Sequence, residues 1–164
     1  MINISSVSAA ISAAVLAVVD PELGDVTIGD LGMVRSVNVD DDLDGRVRVV
    51  LTPTFLGCPA TRLIASAVDV AARTAGARWV EVVWDPTPWS ETQVTAQGRH
   101  KLARLGIAVG DDGKCPHCDA ELVVVAANSA ASCRSMARCT ACGDLVDVLR
   151  GAASPIRWRH YAHL

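Results

Sequence analysis

Aromatic residues are nearly missing from this chain. One Phe, one Tyr and four Trp among 164 residues amount to 4%, so its core must be aliphatic, built mainly from Val, Ala and Leu. Basic excess is missing too. Lys and Arg number 15 against 18 Asp and Glu, a formal net charge of −3. Residues 1–110 hold 9 basic and 12 acidic side chains, and residues 111–164 hold 6 of each. Neither part presents the positive face that binding DNA or RNA requires, so nucleic acid is not an expected partner. No apolar run approaches the roughly 20 residues that span a bilayer. The longest near the start covers only residues 13–19, serines interrupt what precedes it, and no Lys or Arg occurs before Arg35. That pattern fails as a secretory signal, and the expectation is a cytoplasmic protein with no membrane partner. Absent as well are a phosphate loop, a dinucleotide fingerprint and a G-x-S-x-G elbow.

What is present is apolar and ordered. Hydrophobic residues make up 51% and charged residues 20%, which excludes a disordered chain. Val7, Ala10, Ile11, Ala14, Val15 and Val18 follow the rhythm of one buried helical face, with Ser5 or Ser6 as N-cap and Asp20-Pro21 as the stop. Residues 33–39 and 46–52 alternate as two strands around an acidic turn and predict a β-hairpin, with Met33, Arg35, Val37 and Val39 on one face. Leu63, Ile64, Ala67 and Ala71 predict a second helix ending at Gly76, and 79–84 a third strand. The prolines of Asp85-Pro-Thr-Pro-Trp89 stiffen the loop that follows. A last amphipathic helix covers about 96–105. Helices before and after a hairpin predict an α+β fold, a small helix and three-strand-sheet domain. Past the Gly110-Asp-Asp-Gly113 linker the pattern changes to paired cysteines.

Cys115-Pro-His-Cys118 and Cys139-Thr-Ala-Cys142 are separated by 20 residues. Two such knuckles close four thiolates around one ion, and residues 122–127 supply a strand to carry the chain between them. A unit below roughly 40 residues needs such a staple. Zinc in a closed, structural four-thiolate site is the expected metal, with iron the alternative that the same thiolates suit. His117, inside the first knuckle, is expected to be a bystander, and Cys133 a small buried residue, with a partner-facing thiol or a ligand-exchange candidate as its alternatives. In a reducing compartment six cysteines are better read as ligands or reactive groups than as disulfides.

Cys58 stands apart in Thr54-Phe-Leu-Gly57-Cys58-Pro59. Proline suits the first helical position, which puts Cys58 at the N-cap, where free N–H groups and the helix dipole favour a thiolate. Gly57 admits the close approach of another backbone or a ligand. The alternative is an inert buried cysteine. Asp20, Glu22, Asp30 and Thr54 sit at element ends and could line the same cleft, each with a cap or turn role as its alternative. Asp40-x-Asp42-x-Asp44-Gly45 starts like a calcium loop but meets Leu51 where the bidentate Glu belongs, and is read as a hairpin turn. Arg157-Trp-Arg-His-Tyr161 is read as a solvated tail.

Taken together, Asp20-Pro-Glu22, Asp30-Leu-Gly-Met-Val34 and Thr52-Pro-Thr-Phe-Leu-Gly-Cys-Pro-Ala60 resemble the iron–sulfur-assembly domain of SufT-like proteins. Gly98-Arg-His-Lys-Leu102, Leu105-Gly-Ile107 and the two C-terminal knuckles make the chain similar to the phenylacetate-degradation D branch of that family. The resemblance covers roughly residues 7–150. It implies an assembly domain over 1–108, a linker at 109–113, a zinc ribbon over 114–150 and a tail at 151–164. It also implies an accessory, non-catalytic role in maturing the iron–sulfur or di-iron centres of a phenylacetyl-CoA epoxidase. The implied partners are the oxygenase and reductase subunits of that system and iron–sulfur carrier proteins; a homo-oligomer stays open. Cys58, with Asp20, Glu22 and Asp30 beside it, is the implied site for transient iron or a cluster, and a non-catalytic structural subunit is the alternative function. Two departures stand out: Gly24 replaces a frequent proline, and Ser129-Ala-Ala-Ser132 replaces a Gly-Ser-Thr-like approach to Cys133.

Overall fold

A computed structural model describes residues 4–40, 45–110, 112–127, 129 and 133–151. The acidic turn at 41–44 and the tail beyond 151 lie outside the described residues. Helix α1 spans Ile4–Leu16, the hairpin is β1 (Val34–Asp40) and β2 (Arg46–Leu51), and helix α2 (Thr61–Thr74) leads into β3 (Trp79–Trp84). A 3-10 turn at Glu91–Gln93 precedes α3 (Ala96–Arg104). Four short strands follow: β4 (Ile107–Val109), β5 (Leu122–Ala126), β6 (Arg134–Cys139) and β7 (Leu145–Leu149). The fold is α+β, as the alternation of periods in the sequence implies.

Two sheets result. The first has the order β1-β2-β3, with β1 antiparallel and β3 parallel to β2. The parallel pair requires a crossover, and α2 supplies it. Ile64, Val68 and Ala72, at helical spacing, bury the inner face of α2 against Val47 and Val49 of β2 and Ile11 and Val15 of α1. Full burial of each Ile or Val side chain among them contributes about 1.5–3 kcal/mol. Two local expectations are corrected. Helix α1 begins at Ile4 and ends at Leu16, so Ser5 and Ser6 lie within its first turn and Asp20 lies beyond it, in an extended segment where Val19 bridges Thr27. In β1 a register shift between Val34 and Ser36 breaks the alternation. It turns Arg35 to solvent and brings Val34, Val37 and Val39 to the core.

The second sheet has the order β4-β7-β6-β5. Its edge strand β4 comes from 107–109, before the first knuckle, and runs parallel to β7. The period of two in β4 divides its side chains between two cores. Ile107 and Val109 enter the core of the first sheet together with Leu149, while Ala108 enters a second core with Val146, Val148, Ala137, Cys115 and Cys139. One short strand therefore faces both. The Gly151 N–H adds a second tie, donating to Oε2 of the buried Glu91 at 3.0 Å.

Candidate functional site

The four ribbon cysteines converge. Cys115 precedes β5, Cys139 ends β6, and their Sγ atoms with those of Cys118 and Cys142 all lie within 4.8 Å of one another. Cys115 and Cys142 are 3.8 Å apart and Cys118 and Cys139 3.4 Å. Sulfurs about 2.3 Å from a tetrahedral ion stand roughly 3.8 Å from each other, so the set fits one metal ion. The N–H groups of Cys142 and Ala141 point at Cys139 Sγ, at 3.5 and 3.4 Å, and bring that thiol down to about 6. Backbone donors that favour a thiolate also favour a metal ligand. His117 is directed elsewhere: its Nδ1 meets Asp144 Oδ2 at 2.8 Å, both side chains being about half exposed. Among the described residues no other group of three or more His, Cys, Asp or Glu closes in this way.

Cys58 lies in the loop between β2 and α2. Its N–H donates to the Phe55 carbonyl at 3.0 Å, and its own carbonyl accepts from Thr61 Oγ1 at 3.0 Å. The N-cap of α2 is Ala60, without a side-chain cap bond, so the expected N-cap position of Cys58 is corrected by two residues. The helix-terminal thiolate expected there is corrected with it. Burial pushes the Cys58 thiol up; the Ala60 N–H opposes this in part, and Cys133, Glu22 and Asp20 add to it. The space over Gly57, expected to admit another backbone or a ligand, is taken by the Phe55 ring, 2.8 Å from where a Cβ would stand. Thr54 is half-buried in the same loop, and Phe55 and Leu56 are exposed at 40% and 70%.

Asp20 and Glu22, whose charges act on this thiol, lie on the segment after α1. Asp20 is buried, its Oδ1 accepts the Glu22 N–H at 2.9 Å, and burial raises its carboxyl above the ordinary value. Glu22 is exposed. Asp30 is engaged differently. Its Oδ2 accepts from Lys101 Nζ at 2.7 Å and from the Thr27 N–H at 3.0 Å, and its main-chain carbonyl accepts the Thr95 N–H at 2.9 Å. Burial alone would raise its carboxyl, but Lys101 and Thr27 outweigh that and hold it low. Gly98 makes this contact geometrically possible, because a Cβ there would stand 2.5 Å from the Asp30 carbonyl oxygen.

Sequence reasoning missed two participants. Lys101, on α3, neutralises Asp30; its place in the Gly98–Leu102 motif was the available signal. Arg134, first residue of β6, reaches Asp147 at 3.0 Å and brings its positive charge to Asp20 and Cys133. Cys133, just before β6, is half-buried; burial pushes its thiol up and Arg134 opposes this.

Comparison with known proteins sets these sites in context. Residues 8–84 match the family described as iron–sulfur cluster assembly protein. The D component named for a putative 1,2-phenylacetyl-CoA epoxidase of Escherichia coli (strain K12) is 32% identical over 143 residues, covering 80% of this chain and 85% of that relative. The Fe-S protein maturation auxiliary factor YitW of Bacillus subtilis (strain 168) is 37% identical over 93 residues, covering 55% of this chain and 84% of its own. Among solved structures, a domain of unknown function DUF59 from Bacillus anthracis superimposes with a TM-score of 0.53 at 28% identity, over 60% of this chain and 92% of that one.

Proposed function

Because the chain belongs to the iron–sulfur cluster assembly protein family, we propose that it is an accessory factor that helps load the iron–sulfur or di-iron centres of a phenylacetyl-CoA epoxidase. The metal or cluster is its cargo. Cys58 is the thiol that takes the cargo, with Asp20, Glu22 and Thr54 around it. Asp30 keeps in place the segment that carries the two carboxylates. The observation that supports this reading is Cys58 itself, a half-buried thiol packed against the first core within the matched region, whose thiol is pushed up by burial and by the charges of Glu22 and Asp20. A thiol held protonated resists idle chemistry and yields its proton only when a cation arrives to stabilise the thiolate.

The ribbon, on this reading, holds structural zinc. Four protein thiols leave no open position, which is the mark of a metal that folds a domain rather than reacts. Oxygenase and reductase subunits are the proposed clients, and an iron–sulfur carrier is the proposed donor. The test is the iron and acid-labile sulfide content of those subunits, produced with this chain, without it, and with Cys58→Ser. A drop without the chain that Cys58→Ser reproduces supports the reading. Full client loading by Cys58→Ser refutes it. The name of the Escherichia coli relative, which makes it a component of the epoxidase, favours a second reading, a non-catalytic subunit of the oxygenase. Stoichiometric co-purification with unchanged client metal would select that one.

A further inference from the structure

We propose that the outer edge of β3 is a self-pairing surface, at which a second copy of this chain docks its own β3 antiparallel to the first. The two three-stranded sheets then become one. The inference is independent of the transfer reading above.

Four observations carry it. First, β3 is an end strand: the sheet runs β1-β2-β3, and among the described residues no strand pairs with the far side of β3. Second, the direction of its main-chain groups is fixed. Leu51 lies beside Trp84 in the parallel register, and the Asp85 N–H donates to the Leu51 carbonyl at 2.7 Å. Main-chain groups alternate in side along a strand, so Glu81, Val83 and Asp85 address β2 while Val80, Val82 and Trp84 turn N–H and C=O outward. Third, the first core is incompletely closed along this edge. Val47, Val49 and Leu51 of β2 are fully buried, whereas Val80, Val82 and Trp84, packed against the same core, are only half-buried. Trp79, on the opposite face of β3, is 65% exposed. Fourth, β3 lacks the guards of the other edge. Strand β1 carries a register shift between Val34 and Ser36, with exposed charges at Arg35 and Asp40. From Trp79 to Trp84 the ladder is unbroken, proline is absent, and the one charge, Glu81, is answered by Arg48 at 3.7 Å. An edge of this composition is a template for pairing.

The strand's own sequence selects a second copy and a register. In an antiparallel pair only residues of the same face stand opposite each other, so β3 overlaps itself best about Glu81 or about Val82. Centring on Glu81 sets like charges against each other, which is unfavourable. Centring on Val82 sets Val82 against Val82 and Val80 against Trp84, the residues whose main-chain groups point outward, and each pair exchanges both N–H···O bonds. These apolar pairs lie on the core side and close the open margin of both cores. The same register puts Glu81 opposite the second copy's Val83 on the outer face, as a non-hydrogen-bonded pair with about 4.5 Å between Cα atoms. The contact is isologous, so assembly stops at two copies.

The experiment is sedimentation equilibrium of the full chain in zinc-containing buffer, over about a hundredfold range of concentration. A monomer–dimer equilibrium is expected. Val83→Lys, opposite Glu81 of the second copy, should tighten the dimer, and Val83→Glu should weaken it, each by roughly 2- to 30-fold because two symmetry-related pairs change at once. Both changes lie on the outer face, away from the core, and circular dichroism verifies the fold. Val82→Pro removes an outward N–H and no bond to β2, so it should abolish the dimer in a folded chain. A chain that stays monomeric throughout overturns the proposal, as does assembly beyond two copies. So does a dimer that Val83→Lys and Val83→Glu shift alike or not at all, or one that a folded Val82→Pro chain retains. If Val82→Pro does not fold, the opposed shifts of the two Val83 variants decide alone.

Discussion

Lys101→Met is the perturbation whose outcome the structure fixes most tightly. The Lys101 ammonium is 2.7 Å from Asp30 Oδ2, the two side chains are only 16% and 8% exposed, and the same ammonium donates to the Asp25 carbonyl at 2.9 Å. At that separation opposite charges attract by about 6 kcal/mol at an effective dielectric of roughly 20. Removing one partner leaves the other buried without its counter-charge, which costs about 3–5 kcal/mol. For a chain of this size even about 3 kcal/mol lowers the melting temperature by roughly 6–12 °C. Thermal unfolding in zinc-containing buffer at pH 7 measures it, and Asp30→Asn in the Lys101→Met background should recover part of the loss. The pH dependence has a fixed sign. The folded-state value of Asp30 is depressed, so its contribution is complete above the unfolded value of about 3.9 and is lost as pH falls through the folded value. A Lys101→Met protein that melts within about 2 °C of the parent, or a double variant no better than Lys101→Met alone, would refute the claim that this pair pins α3 to the Asp30 turn.

Further outcomes follow from other contacts. Gly98→Ala places a methyl 2.5 Å from the Asp30 carbonyl oxygen; overpacking should cost about 1–3 kcal/mol in spite of alanine's better helix propensity, and an unchanged melting temperature would contradict it. Cys58, with its thiol pushed up by burial, should react with iodoacetamide at pH 7 more slowly than a free cysteine, its rate still climbing above about pH 9; a plateau below pH 8 would show a stabilised thiolate instead. A chelator strong enough to strip the four-cysteine site should melt β5, β6 and β7 while the fluorescence of Trp79, Trp84 and Trp89 stays folded-like; loss of both signals in one step would mean that the two cores unfold as a unit.

The architecture is legible wherever one local period governs. The Val-rich alternation of 46–51 and the helical spacing of Ile64, Val68 and Ala72 dictate β2 and α2 without reference to distant residues. The two knuckles converge as their spacing implies. Local patterns fail where long-range contacts decide. Pro59 marks a helix start on propensity, yet the α2 ladder begins only at Thr61. Simple alternation points Arg35 inward, but a register shift against β2 reverses it. The site meets the same limit. Lys101 reaches Asp30 across 71 residues; a charge pair at such a separation leaves no periodic trace.

The two cysteine groups differ in a way that follows from their backbones. In the ribbon, tight turns aim two N–H groups at Cys139 Sγ and bring that thiol down to about 6, while the Cys142 thiol, against the Asp144 N–H, is pushed up to about 12 by its hydrogen bond with Cys139. Four convergent ligands make release slow, which suits a metal that holds strands together. At Cys58 the opposing N–H from Ala60 is outweighed by burial and by the carboxylates nearby, so the free thiol is the stable form. A ligand that must give up a stable proton to bind holds its ion less tightly and lets it go more readily. On the proposed transfer role, retention and hand-over are separated within one chain by the number of sulfurs that converge. The proposed transfer role requires that separation: a cargo site as favourable as the ribbon would never deliver.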